Sequence, residues 1–122
     1  MMLFAYAAAF LGVVVAIAHF IIGDRLVLQP LFREQTGGIL AAKPMRDLIW
    51  VMFQLHSLVW AALGLAVLAN RWQGGSDLIG YLAMLIFTVS GTANLLVLRR
   101  PHPGGIMLLL AAAASAADIA FN

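Results

Sequence analysis

Four apolar runs, each close to the length that crosses a bilayer, take up almost all of this 122-residue chain. About 20 apolar residues in a helix cover a hydrocarbon core of about 30 Å. Four such windows stand out, at about 2–22, 48–69, 78–98 and 106–121. They leave no stretch for a soluble domain. Charged residues make up only 10% of the chain, against about a quarter in a soluble domain. Backbone groups in lipid must find partners inside a helix or a closed barrel, and runs of this length select helices. The expected fold is all-α, a transmembrane four-helix bundle with up-down connections, forming one integral membrane domain over 1–122.

The first run lacks a basic leader and a cleavage site before a soluble part, so it reads as a retained helix. No cysteine is present, which excludes disulfides, thiolate metal sites and covalent c-type haem attachment. The net charge of +2 rests on few charged residues and carries no nucleic-acid signal. No nucleophile–base spacing, phosphate loop or metalloprotease motif occurs, so an independent enzyme is not expected.

The basic residues sort by loop. Arg25, Arg33, Lys43 and Arg46 fall in loop 1 (residues 23–47), Arg99 and Arg100 in loop 3, and Arg71 alone in loop 2. Loops 1 and 3 share a side, so the positive-inside rule places them in the cytoplasm and both termini on the non-cytoplasmic side of a bacterial inner membrane. Loop 1 is too apolar for a free loop. It is expected to lie among the headgroups, broken into two short pieces at Pro30 and at Gly37-Gly38. Arg25, Arg33, Lys43, Arg99 and Arg100 are the expected lipid-phosphate anchors. Trp50, Trp72 and Tyr81 suit interfacial belts.

Small residues repeat at three- and four-residue spacing on every run, which is how helices approach closely in lipid. Helix 1 carries Ala5, Ala8, Gly12, Ala16, His19 and Gly23 on one face. Similar stripes are Ser57, Ala61 and Gly64 on helix 2, Gly80, Ala83, Phe87, Ser90, Gly91 and Asn94 on helix 3, and Ala111, Ala114, Ser115 and Asp118 on helix 4, expected to pack within the bundle or between protomers.

The polar residues inside the runs carry the functional signal, because an ionisable side chain at membrane depth is costly. His19 falls in the last turn of helix 1, and His56 lies about 12 Å into helix 2 at 1.5 Å per residue. Gln54, Ser57, Ser90 and Asn94 join them in a polar cluster. Three readings compete. The imidazoles are buried interhelical bonds, or they bind a cofactor or metal, or they titrate in a proton or solute path. For cofactor binding, His19 and His56 are the ligands of a haem or a chlorophyll-type pigment, with the Gly12/Ala16/Gly23 face leaving room for a flat macrocycle. For a divalent metal, Asp24 joins His19 and His56 if Gly23 ends the helix in the left-handed conformation. Asp118 is expected to reach interfacial water, and His102 to be exposed.

In length and helix number the chain resembles the small multidrug resistance transporters. That family depends on an acid in its first helix, and none is present here. His19, Gly23-Asp24, Pro30-Leu31-Phe32 and His56-Ser57 are similar to motifs in an uncharacterised family of small bacterial four-helix integral membrane proteins. The likeness covers about the first half of the chain. It implies no activity, but it does imply that His19, Asp24 and His56 form one constellation. The leading expectation is a small membrane bundle, acting as a homo-oligomer or a subunit of a larger complex, with an intramembrane histidine site for a cofactor or metal. A small-solute or proton-coupled transporter working as a homodimer is the second, and an accessory scaffold subunit the third.

Overall fold

A computed structural model describes residues 2–122. It is all-helical among these residues, with four helices long and apolar enough to cross a membrane. Helix α1 (Leu3–Gly23) passes through a π-helical turn (Asp24–Leu28) into α2 (Gln29–Glu34) without a break. A 3₁₀ turn (Gly38–Ala41) leads to α3 (Lys43–Trp72), followed by α4 (Leu78–Leu98) and α5 (Pro103–Phe121).

The first loop differs from the sequence expectation. Pro30 does not break the chain; the helix runs on to Glu34. Proline lacks an N–H and its ring crowds the preceding turn. The π turn just before it widens the helix, with the Gln29 N–H reaching back five residues to the Asp24 carbonyl. Gly23 is right-handed helical (φ −61°), so it does not turn Asp24 back towards the histidines. The break falls instead at Gln35–Gly37. Helix α3 also begins five residues earlier than expected, at Lys43. These extensions shift both histidines. His19 lies midway along Leu3–Glu34, and His56 midway along α3.

The four spans pack in the order α3, α1, α5, α4, and α4 returns only loosely to α3. Small residues set this order. A Cβ on Gly12 would stand 2.8 Å from the Trp60 carbonyl oxygen, and one on Gly64 would stand 2.9 Å from that of Ala8. The α1–α3 backbones therefore meet where only glycine fits. Gly91 and Gly105 play the same part between α4 and α5, where a Cβ on Gly91 would lie 2.9 Å from the Gly105 carbonyl oxygen. Alanines fill most of the interior, with Trp60, Phe87 and Leu108 as the large side chains. Leu55, Leu58, Leu65, Leu85, Val89 and Leu110 face outward. Small residues inside and large apolar ones outside are what a bundle in hydrocarbon requires.

Arg25, Arg33, Lys43, Arg99 and Arg100 are all exposed, at one end of the bundle. The far end is closed by an ion pair. Arg71 donates to Asp118 from Nη2 at 2.8 Å and from Nε at 3.1 Å, and its Nη2 lies 3.5 Å from Asp77. Asp118 is 2% exposed. Burial on an interhelical partner thus replaces the expected contact with interfacial water. Asn122 donates to the second carboxylate oxygen at 3.1 Å.

Candidate functional site

The loose α3–α4 seam leaves a cavity of about 530 Å³ between α1, α3, α4 and α5. Its walls are largely apolar and include Val15, Ile22, Trp60, Val97, Met107 and Leu108. Val27, in the π turn, also reaches it. Three polar side chains stand on three different walls: His19 on α1, Asn94 on α4, and His102 in the turn before α5.

His19 is held on three sides. Phe53 stacks on it, with centroids 4.4 Å apart and planes 14° off parallel. Trp60 meets it edge-on at 4.8 Å. Ser57 Oγ lies 2.7 Å from its Nδ1. These residues come from one face of α3, at the helical spacings 53, 57, 60 and 64, the same face that carries Gly64 into α1. Most of the face proposed for a macrocycle packs on α3, although Gly23 also lines the cavity. Gly12 packs on Trp60 and Gly64, and a Cβ on Gly23 would overlap the Phe53 ring.

The partners of each imidazole assign its tautomer. Ser57 is 5% exposed, and among the described residues its hydroxyl meets only His19 Nδ1. A buried hydroxyl places its hydrogen on an acceptor. Ser57 therefore donates to His19 Nδ1, and the imidazole carries its hydrogen on Nε2. His56 is the reverse. Its Nδ1 lies 3.1 Å from the Met52 carbonyl oxygen, which can only accept. His56 therefore donates from Nδ1, which in the neutral ring leaves the lone pair on Nε2. The two rings are 6.5 Å apart, but only His19 lines the cavity. His56 faces outward, beside a smaller groove of about 270 Å³ lined by Leu55, Val59, Trp60, Ile86 and Ser90. Trp60 borders both spaces and donates from Nε1 to Ser90 Oγ at 3.1 Å.

The rest of the expected polar cluster is divided. Gln54, 6% exposed, donates to the Phe20 carbonyl at 3.1 Å, and its Oε1 is buried without a partner. Asn94 donates to the Ser90 carbonyl at 2.7 Å and lines the cavity. Asp24 accepts from the Trp50 indole at 2.9 Å and from Gln29 at 3.2 Å, tying the end of α1 to α3. His19, Asp24 and His56 do not gather into a metal site: among the described residues, no group of three or more His, Asp or Glu side chains could hold a metal ion. His102 is not exposed as expected. It borders the cavity, and its Nδ1 is buried without a partner. Sequence reasoning missed Phe53 and Trp60, although their spacing from Ser57 was available. It also missed the pairing of Arg71 with Asp118, which lie 47 residues apart.

No protein-family model, curated protein or solved structure matches the chain.

Proposed function

We propose that this chain is a membrane-embedded binding bundle whose cavity takes a drug-sized, largely apolar molecule with a hydrogen-bond-accepting end, such as a lipid-soluble ring bearing a carbonyl. The observation that carries this reading is the 530 Å³ cavity with His19 on its wall. Small-molecule sites are typically apolar spaces of about 300–1,000 Å³ with a few placed polar groups. The Nε2–H of His19 is a donor with no acceptor among the described residues, and Phe53, Trp60 and Ser57 fix its ring. A metal or haem iron requires a bare imidazole nitrogen, so the Ser57 bond favours a carbonyl-bearing guest over a metal-centred one at His19. In the same reading, the basic end faces the cytoplasm of a bacterial inner membrane, and the chain works as a homo-oligomer or as a subunit of a larger membrane complex.

The test is a binding titration in mild detergent. The chain has three tryptophans, Trp50, Trp60 and Trp72. With Trp50 and Trp72 replaced by Phe, Trp60 is the one remaining reporter, and it borders both the cavity and the His56 groove. A short-tailed alkylbenzoquinone should quench it saturably. His19→Phe keeps an aromatic ring but removes the donor, and should weaken binding about tenfold, in line with a lost hydrogen bond of about 1–1.5 kcal/mol. Quenching that never saturates, or that is indifferent to His19→Phe, would contradict the proposal.

A further inference from the structure

The groove beside His56 carries a hydrogen-bonding pattern opposite to that of the cavity. His56 sits midway along α3 with its imidazole exposed. The Met52 carbonyl takes its Nδ1 hydrogen, so in the neutral ring Nε2 is an acceptor. Ser90 stands on the same groove, across the α3–α4 seam. Its oxygen already accepts from Trp60, and its own hydroxyl hydrogen has no acceptor among the described residues. An apolar groove at mid-helix thus holds one unfilled acceptor on α3 and one unfilled donor on α4. In hydrocarbon both are costly while unmet.

We infer that this groove binds the hydroxyl group of a membrane-soluble phenol. A hydroxyl donates and accepts through a single oxygen, and a phenol adds an apolar ring that suits the rest of the groove. Its hydrogen would go to His56 Nε2, and its oxygen would receive the Ser90 hydroxyl. A carbonyl meets Ser90 but leaves His56 unmet, and an ether does the same. The ring would lie along Leu55, Val59 and Ile86, against Trp60. No bond is made or broken. The site is separate from the His19 cavity and does not depend on what fills it.

Trp60 fluorescence, again with Trp50 and Trp72 replaced by Phe, reads both spaces, and paired probes separate them. An alkylphenol and its methyl ether differ only in the hydroxyl hydrogen. The phenol is expected to bind about tenfold tighter than the ether. That preference should vanish in His56→Leu, persist in His56→Gln, which keeps an acceptor, and persist in His19→Phe. Equal binding of phenol and ether by the parent chain would overturn the inference. So would a preference unchanged by His56→Leu, or one that disappears with His19→Phe and so belongs to the cavity. The absence of saturable phenol binding would assign the groove to water alone, also against the inference. The chain has no native cysteine, so Val59→Cys gives a clean cross-link. A disulfide-linked dimer that excludes the phenol would assign the groove to a second copy and overturn the inference as well.

Discussion

Asp118→Ala is expected to destabilise the bundle by about 3 kcal/mol, the scale on which breaking one side of a buried ion pair acts. The carboxylate is 2% exposed and receives two Arg71 N–H groups on one oxygen and Asn122 on the other. Removing it leaves the Arg71 guanidinium with only its longer, 3.5 Å contact to the half-exposed Asp77. Arg71→Ala strands the carboxylate instead and should cost a similar amount. The double replacement Arg71→Leu with Asp118→Leu leaves no buried charge behind, Asp77 being 49% exposed, and apolar substitutes for a buried pair are often neutral. It should therefore be more stable than either single variant. Unfolding midpoints in a denaturing detergent series measure this. Two single losses below about 1 kcal/mol that simply add would show that the pair is solvated and that it does not tie α3 to α5.

Gly64→Leu is expected to separate α1 from α3. Even a Cβ at this position would stand 2.9 Å from the Ala8 carbonyl oxygen and 3.2 Å from the Ala9 Cα. These are backbone atoms of a helix and cannot rotate away. Overpacking of this kind costs about 1–3 kcal/mol, sometimes more, and a leucine here belongs at the upper end. The effect should reach the site, because moving α3 outward lengthens the Ser57–His19 bond from 2.7 Å and unstacks Phe53. Gly64→Leu should thus lose quinone binding together with stability. Gly37→Ala is the control: a Cβ there meets nothing within 4 Å, and both readouts should be unchanged.

The helices were legible because hydropathy and length decide them locally. The 78–98 run was bounded as the structure has it. The first loop was misread because Pro30 and the apolar residues around it look like an interrupted interfacial segment. A π turn that admits proline leaves no mark of its own in composition. His19 does lie about one turn before the end of α1, but the helical path runs on through the π turn to Glu34, and the misreading suggested a metal site that needed Gly23 to be left-handed. The polar residues themselves were visible: His19, His56, Gln54, Ser57, Ser90 and Asn94 were all singled out by their cost in lipid. How they divide was not visible. Which ones meet depends on the order α3, α1, α5, α4 around the bundle, and small-residue stripes present on every helix do not specify neighbours. Asp118 and His102 were misplaced for the same reason, since burial near a helix end is set by the neighbouring chain.

The measurement that tests the central claim most directly is the ¹⁵N imidazole spectrum of labelled protein, with and without the alkylbenzoquinone, with His19 assigned by substitution. The account predicts a neutral His19 with its hydrogen on Nε2, the opposite tautomer at His56, and a His19 Nε2 resonance that moves when the quinone binds. A His19 with its hydrogen on Nδ1, or an Nε2 resonance indifferent to the quinone, would contradict it.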